Sequence, residues 1–265
     1  MTPSTDVVLL ERVDTRILVA TLNRPKAANA VNLDLACALE NLADTLESET
    51  DIDAVVLTGA GKQFCSGGDV SVFASLLSPQ SDPSALAALL DDLSRRVHGA
   101  LLRIVEAGPL IVGAINGAAT GAGLGLVCAC DLAYAAPNAS LRPGFSTLGL
   151  SPDTGTTYFI PRVLGPRAGL EFMLKGDPMS AERAMELGVY QELIGAEPAD
   201  FLGEVLDRTR KLIGSGPACV RATRSLLQRS PGGTLAEQLK LEQGSLVRLA
   251  GEPQVRQRMT KLLSR

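Results

Sequence analysis

Hydrophobic and polar positions along the first part of the chain fall into strand-like and helix-like patterns. Short runs rich in Val, Ile and Leu predict strands, and the first two flank the sequence VDTR, which predicts a hairpin turn. Longer runs with apolar residues at every third or fourth position predict helices, the first of which Asn32 can cap. The predicted strands are 7–13, 17–22, 53–59 and 110–115, and the predicted helices are 33–46 and 85–105.

The third and fourth of these strands predict the class of fold. Neither alternates apolar and polar residues, so we expect both faces of each strand to be buried, as in a parallel sheet covered by helices. Strand, loop and helix repeat without a shift in composition, which indicates α/β architecture. Beyond Pro161 the pattern becomes helical, over 165–174, 180–187, 198–213, 217–228, 234–250 and 253–263.

Composition narrows the range of functions. The 265 residues are 46% hydrophobic and 20% charged with a net charge of −4, and no basic run suggests a nucleic-acid partner. Five cysteines form no CxxC pair, which favours a reducing compartment, and the single histidine excludes a His-rich metal site. The sequence starts with polar residues and no apolar signal core, so we expect a cytoplasmic protein without a bound metal.

A stretch without charge, 110–130, needs its own explanation. Gly113, Gly117, Gly121 and Gly125 are spaced by four, as in the dimer face of a membrane helix. The turn-like sequence ING within the stretch and the lack of flanking positive charge argue against a membrane span. We therefore expect no membrane association. The glycines also read GxGxG, which matches neither the dinucleotide fingerprint nor a phosphate-binding P-loop.

Two loops of small residues, FCSGGD and GAATGAG, follow the two buried strands and lead into predicted helices. If those strands are neighbours in the sheet, unpaired N–H groups of both loops meet at one point and attract negative charge. Two such donors can form an oxyanion hole, which stabilises an oxygen that gains negative charge during a reaction. The other interpretation, which stays open for Gly123 and Gly125, is that the glycines only let a helix pack closely on the sheet.

These loops belong to an ordered set of segments that resembles a known family. The segments are NRPKAANAV (23–31), FCSGGDV (64–70), AINGAATGAGLGLVCACDLAYA (114–135), LGLSPDTGTTYFIPRVLG (148–165) and MSAERAMELGVYQELI (179–194). On these motifs the sequence is identified as a member of the crotonase superfamily, the enoyl-CoA hydratases and isomerases. The resemblance implies a crotonase-like α/β fold, with a spiral of ββα units and the acyl-CoA site in 1–200 and a helical trimerisation region in 201–265.

The resemblance also implies the substrate and the partners. The substrate is an acyl-CoA thioester from fatty acid metabolism, so coenzyme A is part of the substrate and no separate cofactor is expected. The chain is expected to form a homotrimer or a dimer of trimers, that is, a hexamer.

The motifs assign roles to individual positions. Gly68 and Ala122 match the two residues whose backbone N–H groups hold the thioester oxygen, and an alanine at 122 keeps that N–H. A loop within 26–30 is expected to lie along the coenzyme A nucleotide. The residues that we expect to bind substrate are Lys26, Ala28, Ala30, Ser66, Gly67, Gly121 and Phe145.

The acid/base group departs from the family's hydratases. Those enzymes carry two glutamates, and this sequence has Gly125 and Phe145 at the matching positions. Simple water addition is therefore doubtful, because water has to be deprotonated and a proton has to be supplied. Asp153 matches the single acid/base carboxylate of some family isomerases, although a Pro-Asp-Thr-Gly sequence also fits an ordinary helix N-cap. The leading prediction is double-bond or ring isomerisation with Asp153 as the acid/base.

Three alternatives stay open. Asp153 also matches the nucleophile of the family's aryl-CoA dehalogenases, and His98 and Phe145 fall near their water-activating histidine and aromatic wall. That match predicts an acyl-CoA hydrolase instead. His98 is otherwise a half-exposed residue on a long helix. The chain could also be an acyl-CoA-binding homologue without catalysis, or a purely structural trimer subunit.

Two further residues in the first loop have structural interpretations. Asp69 is expected to cap the helix that follows the loop. Cys65 is expected to be a small packed residue and not a nucleophile, because no histidine is near it in sequence.

Overall fold

Strands and helices alternate along the first part of the chain, and helices dominate the remainder. The computed structural model describes residues 7–79, 81–195 and 198–264. The strands are β1 (Val8–Asp14), β2 (Ile17–Leu22), β3 (Ala54–Gly59), β4 (Leu110–Ile115), β5 (Ala119–Thr120), β6 (Leu132–Ala135), β7 (Ser140–Arg142), β8 (Met179–Ser180) and β9 (Glu192–Leu193). The helices are α1 (Leu33–Ser48), α2 (Val70–Ser75), α3 (Ala85–Glu106), α4 (Ala122–Ala129), α5 (Thr156–Leu164), α6 (Pro166–Lys175), α7 (Ala181–Glu186), α8 (Pro198–Ile213), α9 (Pro217–Arg229), α10 (Leu235–Ala250) and α11 (Pro253–Leu263).

The main sheet is mostly parallel, as predicted. Within the described ranges its strand order is β1-β2-β3-β4-β6-β9, and only the β1–β2 hairpin is antiparallel. Every residue of β3 and β4 is buried, which matches the lack of polar alternation in their sequences. A second sheet contains the short strands β5, β7 and β8, which the sequence pattern did not reveal.

The predicted helices are confirmed with small shifts at their ends. Asn32 caps α1, because its side-chain oxygen accepts a hydrogen bond from the N–H of Leu35 at 3.0 Å. The sequence pattern places no helix over α5, which contains Pro161 and ends at Leu164. Its nine residues pack a buried Ile160 against the core while the proline interrupts the hydrogen-bond ladder.

The chain divides into two compact units, residues 1–209 and 210–265. The first unit contains both sheets and the core, in which α1 buries one apolar face and the loop after β3 buries Phe64 completely. The second unit is helical, and α10 begins with a capping box formed by Thr234 and Glu237. The predicted boundary at residue 200 and the boundary between these units both fall within α8.

The uncharged stretch 110–130 contains the buried strand β4, a turn, the short strand β5 and the short helix α4. Across the described parts of the chain, no helix combines the length and the apolar character that a membrane span requires.

Candidate active site

The two loops of small residues meet at one edge of the main sheet. Strands β3 and β4 are parallel neighbours, with Leu57 opposite Gly113 and Thr58 opposite Ala114. Their carboxyl ends therefore lie side by side, and the loops that leave them, 60–69 and 116–121, start from adjacent positions. This arrangement confirms the condition on which the predicted convergence of the loops depended.

Backbone hydrogen bonds join the two loops directly. The carbonyl oxygen of Ala118 accepts from the N–H of Cys65, and the N–H of Thr120 donates back to the carbonyl oxygen of Cys65 at 2.9 Å. Gly67 has a φ of +89°, and a Cβ on it would lie 2.8 Å from the carbonyl oxygen of Thr120. Glycine is required at this position, both for its backbone conformation and for the close approach of the loops.

Two backbone N–H groups of these loops, those of Gly68 and Ala122, are left as donors. Both residues line a cavity of about 510 Å³, and among the described residues neither N–H has an acceptor. Ala122 is the first residue of α4, where the N–H has no partner within the helix. The neighbouring N–H of Gly121 is already used, because it donates to the carbonyl oxygen of Arg142 at 3.0 Å. Two unpaired N–H groups at the wall of one cavity are what an oxyanion hole requires.

A carboxylate and an imidazole share the same cavity. His98, on α3, and Asp153, in the loop before α5, both line it, and the Nε2–H of His98 donates to Oδ1 of Asp153. The side chains are 49% and 40% exposed, so solvent or a ligand can reach the pair. Oδ1 of Asp153 also accepts from the N–H of Thr154 at 2.6 Å. The sequence had left the position of His98 open, and the structure brings it to Asp153.

Asp153 is not the N-cap of α5, so that interpretation is wrong. The N-cap residue is Gly155, and no side chain caps the helix. Asp153 contributes only its backbone carbonyl there, which accepts from the N–H and the hydroxyl of Thr156. The carboxylate is thereby left for the cavity.

The backbone of Thr154 lies directly against Gly125. A Cβ added to Gly125 would meet the Cβ of Thr154 at 2.6 Å and its Cγ2 at 2.7 Å, with the carbonyl oxygen of Thr154 closer still. Gly125 therefore does let α4 pack closely, although against the loop before α5 and not against the sheet as predicted. It also follows that the position where family hydratases carry a glutamate has no room for a side chain here.

Thr154 itself is strained. It is 1% exposed and has a φ of +53°, which is unfavourable for a β-branched residue. Its hydroxyl is buried without a hydrogen-bond partner among the described residues. Strained residues of this kind are concentrated at functional sites, and this one is adjacent to Asp153.

The remaining predicted substrate-binding residues fall into two groups. Ser66, Gly67, Gly121 and Phe145 line the same cavity as Gly68 and Ala122, and a Cβ added to Gly121 would lie 4.0 Å from the ring carbon Cζ of Phe145. By contrast, the three residues of the loop after β2 do not line this cavity. They are Lys26, Ala28 and Ala30.

The loop after β2 is hydrogen-bonded to the loop 60–69, which contains Gly68 and which we call the oxyanion loop. The carbonyl oxygen of Ala28 accepts from the N–H of Ser66 at 3.0 Å, which ties the two loops together. Asn29, which is fully buried, donates to the carbonyl oxygens of Ala60, Gln63 and Phe64. Sequence reasoning missed this asparagine; the available signal was an Asn in a predicted loop, since Asn tolerates the left-handed conformation, and its φ here is +55°.

A partly buried ion pair joins the loop after β2 to the residue that follows Gly68. The Arg24 guanidinium contacts the Asp69 carboxylate at 2.9 Å, and Asp69 also caps α2 through the N–H and hydroxyl of Ser71, as predicted. Burial alone would raise the pKa of Asp69, but its hydrogen bonds to Ser71 and Arg24 outweigh burial and hold the pKa below the ordinary value.

Cys65 is a packed residue and not a nucleophile. It is fully buried, and burial raises the pKa of its thiol to about 11, although the N–H of Gly67 donates to the sulfur.

Known proteins resemble this chain in sequence and in fold. A model of the enoyl-CoA hydratase/isomerase family matches residues 12–263. The chain is 32% identical over 247 residues to the 1,2-epoxyphenylacetyl-CoA isomerase of Escherichia coli, covering 92% of this chain and 90% of that protein. It is 31% identical over 240 residues to a probable enoyl-CoA hydratase of Mycobacterium tuberculosis, covering 89% of this chain and 88% of that protein.

A solved structure adds the fold. The crystal structure of a putative enoyl-CoA hydratase from Thermobifida fusca in complex with CoA is similar with a TM-score of 0.81 at 27% identity, covering 93% of this chain and 94% of that one. Taken with the family model and the two relatives, this likeness extends over nearly the whole chain. The chain therefore belongs to the enoyl-CoA hydratase/isomerase family, with the crotonase fold.

Proposed function

We propose that the protein isomerises an acyl-CoA thioester, by moving a double bond or rearranging a strained ring, with Asp153 as the acid/base group. The observation that carries this proposal is the carboxylate of Asp153 in the same cavity as the unpaired N–H groups of Gly68 and Ala122. The other carboxylate among the described lining residues, Asp91, is 73% exposed and ion-paired with Arg95.

In the proposed reaction the thioester oxygen accepts hydrogen bonds from Gly68 and Ala122. Asp153 removes a proton from the acyl chain, and the two N–H groups stabilise the charge that develops on the oxygen of the enolate. Asp153 then returns the proton at another carbon, so no co-reactant is consumed. His98 orients the carboxylate through its Nε2–H and acts as a positioning residue.

We prefer isomerisation to hydration because Gly125 and Phe145 stand at the positions where the family's hydratases carry their two glutamates. Phe145 provides an apolar wall, and the Gly125 position is filled by the backbone of Thr154. The name of the E. coli relative, a 1,2-epoxyphenylacetyl-CoA isomerase, supports a ring substrate as one of the two options. Both a 3-enoyl-CoA and an epoxide of an arylacetyl-CoA are therefore substrates to assay.

The test replaces the two cavity carboxylates separately. Asp153→Asn should lower turnover by roughly 10²–10⁴, the usual contribution of one general base, while Asp91→Asn serves as the matched control and should stay near the wild-type rate. Turnover of both substrate classes is followed by chromatography of the CoA thioesters. Full isomerase activity in Asp153→Asn would remove the assignment, and equal loss in both variants would point to a general charge effect.

A second candidate is an acyl-CoA hydrolase in which Asp153 is a nucleophile. The hydrogen bond between His98 and Asp153, beside the ring of Phe145, is the observation that favours it. In that reaction a carboxylate oxygen of Asp153 displaces a leaving group such as a halide and forms an ester. Water activated by His98 then attacks the carboxyl carbon of this ester and releases the product.

Isotopes distinguish the two reactions. A nucleophilic Asp153 gains oxygen from ¹⁸O-labelled water during multiple turnovers, whereas an acid/base Asp153 only carries a proton. We expect no label in the peptide that contains Asp153, and deuterium uptake into the acyl chain in D₂O. Labelled Asp153 without deuterium uptake would establish the hydrolase instead. No turnover of any thioester, with retained binding, would leave the protein as an acyl-CoA binder.

We also propose that the protein assembles as a homotrimer or a dimer of trimers. Support comes from exposed leucines on the helices of the second unit, since apolar side chains in such number favour an interface. They include Leu235, Leu239, Leu246, Leu262 and Leu263. Sedimentation equilibrium should give three or six times the 27.7 kDa monomer mass, and a monomer at micromolar concentration would refute the proposal.

We propose that the loop with Lys26, Ala28 and Ala30 contacts the coenzyme A nucleotide. The hydrogen bond from the N–H of Ser66 to the carbonyl oxygen of Ala28 supports this, because it connects that loop to the loop that contains Gly68. Lys26→Ala should weaken binding of the CoA thioester more than binding of the same acyl group on pantetheine. Equal effects on both ligands would remove Lys26 from the nucleotide site.

A further inference from the structure

Part of the lining of the main cavity, which we call its apolar end, is apolar and has no role in the proposed reaction. Beyond Gly68 its walls include Val31, Phe73 and Leu93, two of which are core residues with less than 10% of their surface exposed. Asp153 lies in the loop before α5, and His98 lies on α3 five residues after Leu93, more than one helical turn further along. Whatever part of an acyl group extends along these apolar walls is selected by shape and not by charge.

A second cavity lies behind this end. It has a volume of about 180 Å³ and shares Val31, Phe73 and Leu93 with the main cavity, so these three side chains separate the two spaces. Its other walls come from the start of α1, from α2 and from α3. They are Asn32, Leu33, Asp34, Asp69, Val72 and Leu89.

Phe73 is the removable part of this partition. Val31 is 1% exposed and hydrogen-bonds through its backbone to Gly67 and Asp69, so it is fixed to the loop that contains Gly68. Phe73 instead projects from α2, a six-residue helix without a buried residue, whose weak packing allows a smaller side chain. Its ring lies against the oxyanion residue: a Cβ on Gly68 would be 2.7 Å from the ring carbon Cζ.

We infer that Phe73 sets the length of the acyl group, because its ring closes the apolar end of the main cavity beside the thioester oxygen site. This inference rests on the proposed acyl-CoA site. It assigns short or compact acyl groups to the wild-type protein and longer straight chains to any variant in which the ring is removed. The second cavity then becomes the continuation of the acyl pocket.

The test measures binding of saturated acyl-CoA thioesters, which do not undergo the isomerisation. Dissociation constants for butanoyl-, hexanoyl-, octanoyl- and decanoyl-CoA are determined calorimetrically for the wild type and for Phe73→Ala. Each methylene that enters an apolar cavity should improve affinity about fourfold. We expect the gain to stop at the ring in the wild type and to continue in the variant, so the ratio of octanoyl to butanoyl affinity rises more than about tenfold.

Leu89 supplies the matched control, because it lines the second cavity but not the main one. Leu89→Trp fills that space, so the single variant should keep the wild-type length profile, and Phe73→Ala/Leu89→Trp should lose the gain of Phe73→Ala. Should Phe73→Ala fail to fold, Phe73→Leu makes a smaller opening and is measured in the same way, with a smaller expected change in the ratio.

The outcomes separate this inference from the proposed function. An unchanged length ratio in a folded Phe73 variant that binds butanoyl-CoA normally would overturn the inference and leave the acyl-CoA site intact. A gain that persists in the double variant would also overturn it, because the chain would then extend elsewhere. Failure of the wild type to bind any of the four thioesters would instead refute the proposed function.

Discussion

Adding one methyl group to Gly125 should displace Asp153, the proposed acid/base group, from the proposed oxyanion donors Gly68 and Ala122. In Gly125→Ala the new Cβ would lie 2.6 Å from the Cβ of Thr154, whereas carbon atoms in contact are about 3.5–4.0 Å apart. With α4 in place, the loop that carries Asp153 must therefore move by about 1 Å. Misplacement of a reacting group by about 1 Å is worth roughly a 10²-fold loss of rate.

The stability change of Gly125→Ala follows from the same overlap. Overpacking a core position costs about 1–3 kcal/mol, and replacing a helical glycine by alanine returns about 0.5–1 kcal/mol. We expect a net loss of about 1–2 kcal/mol in the free energy of unfolding. Binding of the thioester should change little, because the N–H groups of Gly68 and Ala122 stay in place, so the loss appears in kcat and not in KM.

Gly99 provides the control for this substitution. It lies on α3 next to His98, is exposed, and has no atom within 4 Å of an added Cβ. Gly99→Ala should raise the free energy of unfolding by about 0.5–1 kcal/mol and leave kcat unchanged. The assays are urea unfolding and steady-state kinetics with the active substrate. Wild-type kcat in a Gly125→Ala protein of wild-type stability would refute the argument that Thr154 presses on Gly125.

Three further predictions address the donors and charges of the site. Ala122→Pro should keep the fold, because proline is tolerated at the first helical position. It should lower turnover by about 10²–10³, because one N–H donor is lost. Wild-type kinetics in this variant would exclude Ala122 as a donor. His98→Gln, which keeps an N–H donor for Asp153, should retain more activity than His98→Ala, and equal loss in both would mean that the imidazole itself reacts. Asp69 has a lowered pKa in the folded protein, so its stabilisation is present above the unfolded pKa of about 3.9 and is lost as pH falls through the folded value. Urea unfolding from pH 6 to pH 3 should therefore show a weaker decline of stability in Asp69→Asn than in the wild type, and parallel declines would contradict the contribution of the Arg24 ion pair.

The sequence predicted the strands and the long helix that carry this site, because each of these elements depends on residues that are close together in the chain. Unbroken apolar runs identified β3 and β4, and a helical period identified α3, each from fewer than 25 consecutive residues. The relation between His98 and Asp153 is different in kind, since 55 residues separate them and the contact depends on how α3 crosses the sheet. The left-handed conformation of Thr154 was equally hidden, because threonine is an unfavourable residue for it and gives no sequence signal.

At Gly125 both the local sequence pattern and a contact with a residue far away in the sequence are needed to explain the residue. Its sequence context allowed either a lost carboxylate or a packing contact, and the structure shows that the contact leaves no space for a carboxylate: Thr154 occupies the space into which a glutamate would project. A substitution such as Gly125→Glu therefore would not restore a hydratase, because the side chain has to displace the loop that positions Asp153. The proposed oxyanion donors are backbone groups and do not depend on side-chain identity, whereas the position of the proposed acid/base group depends on the packing of the loop before α5. Differences in reaction between members of this fold are then expected to follow from the packing of loops such as 150–155 as well as from the identity of the titratable residue.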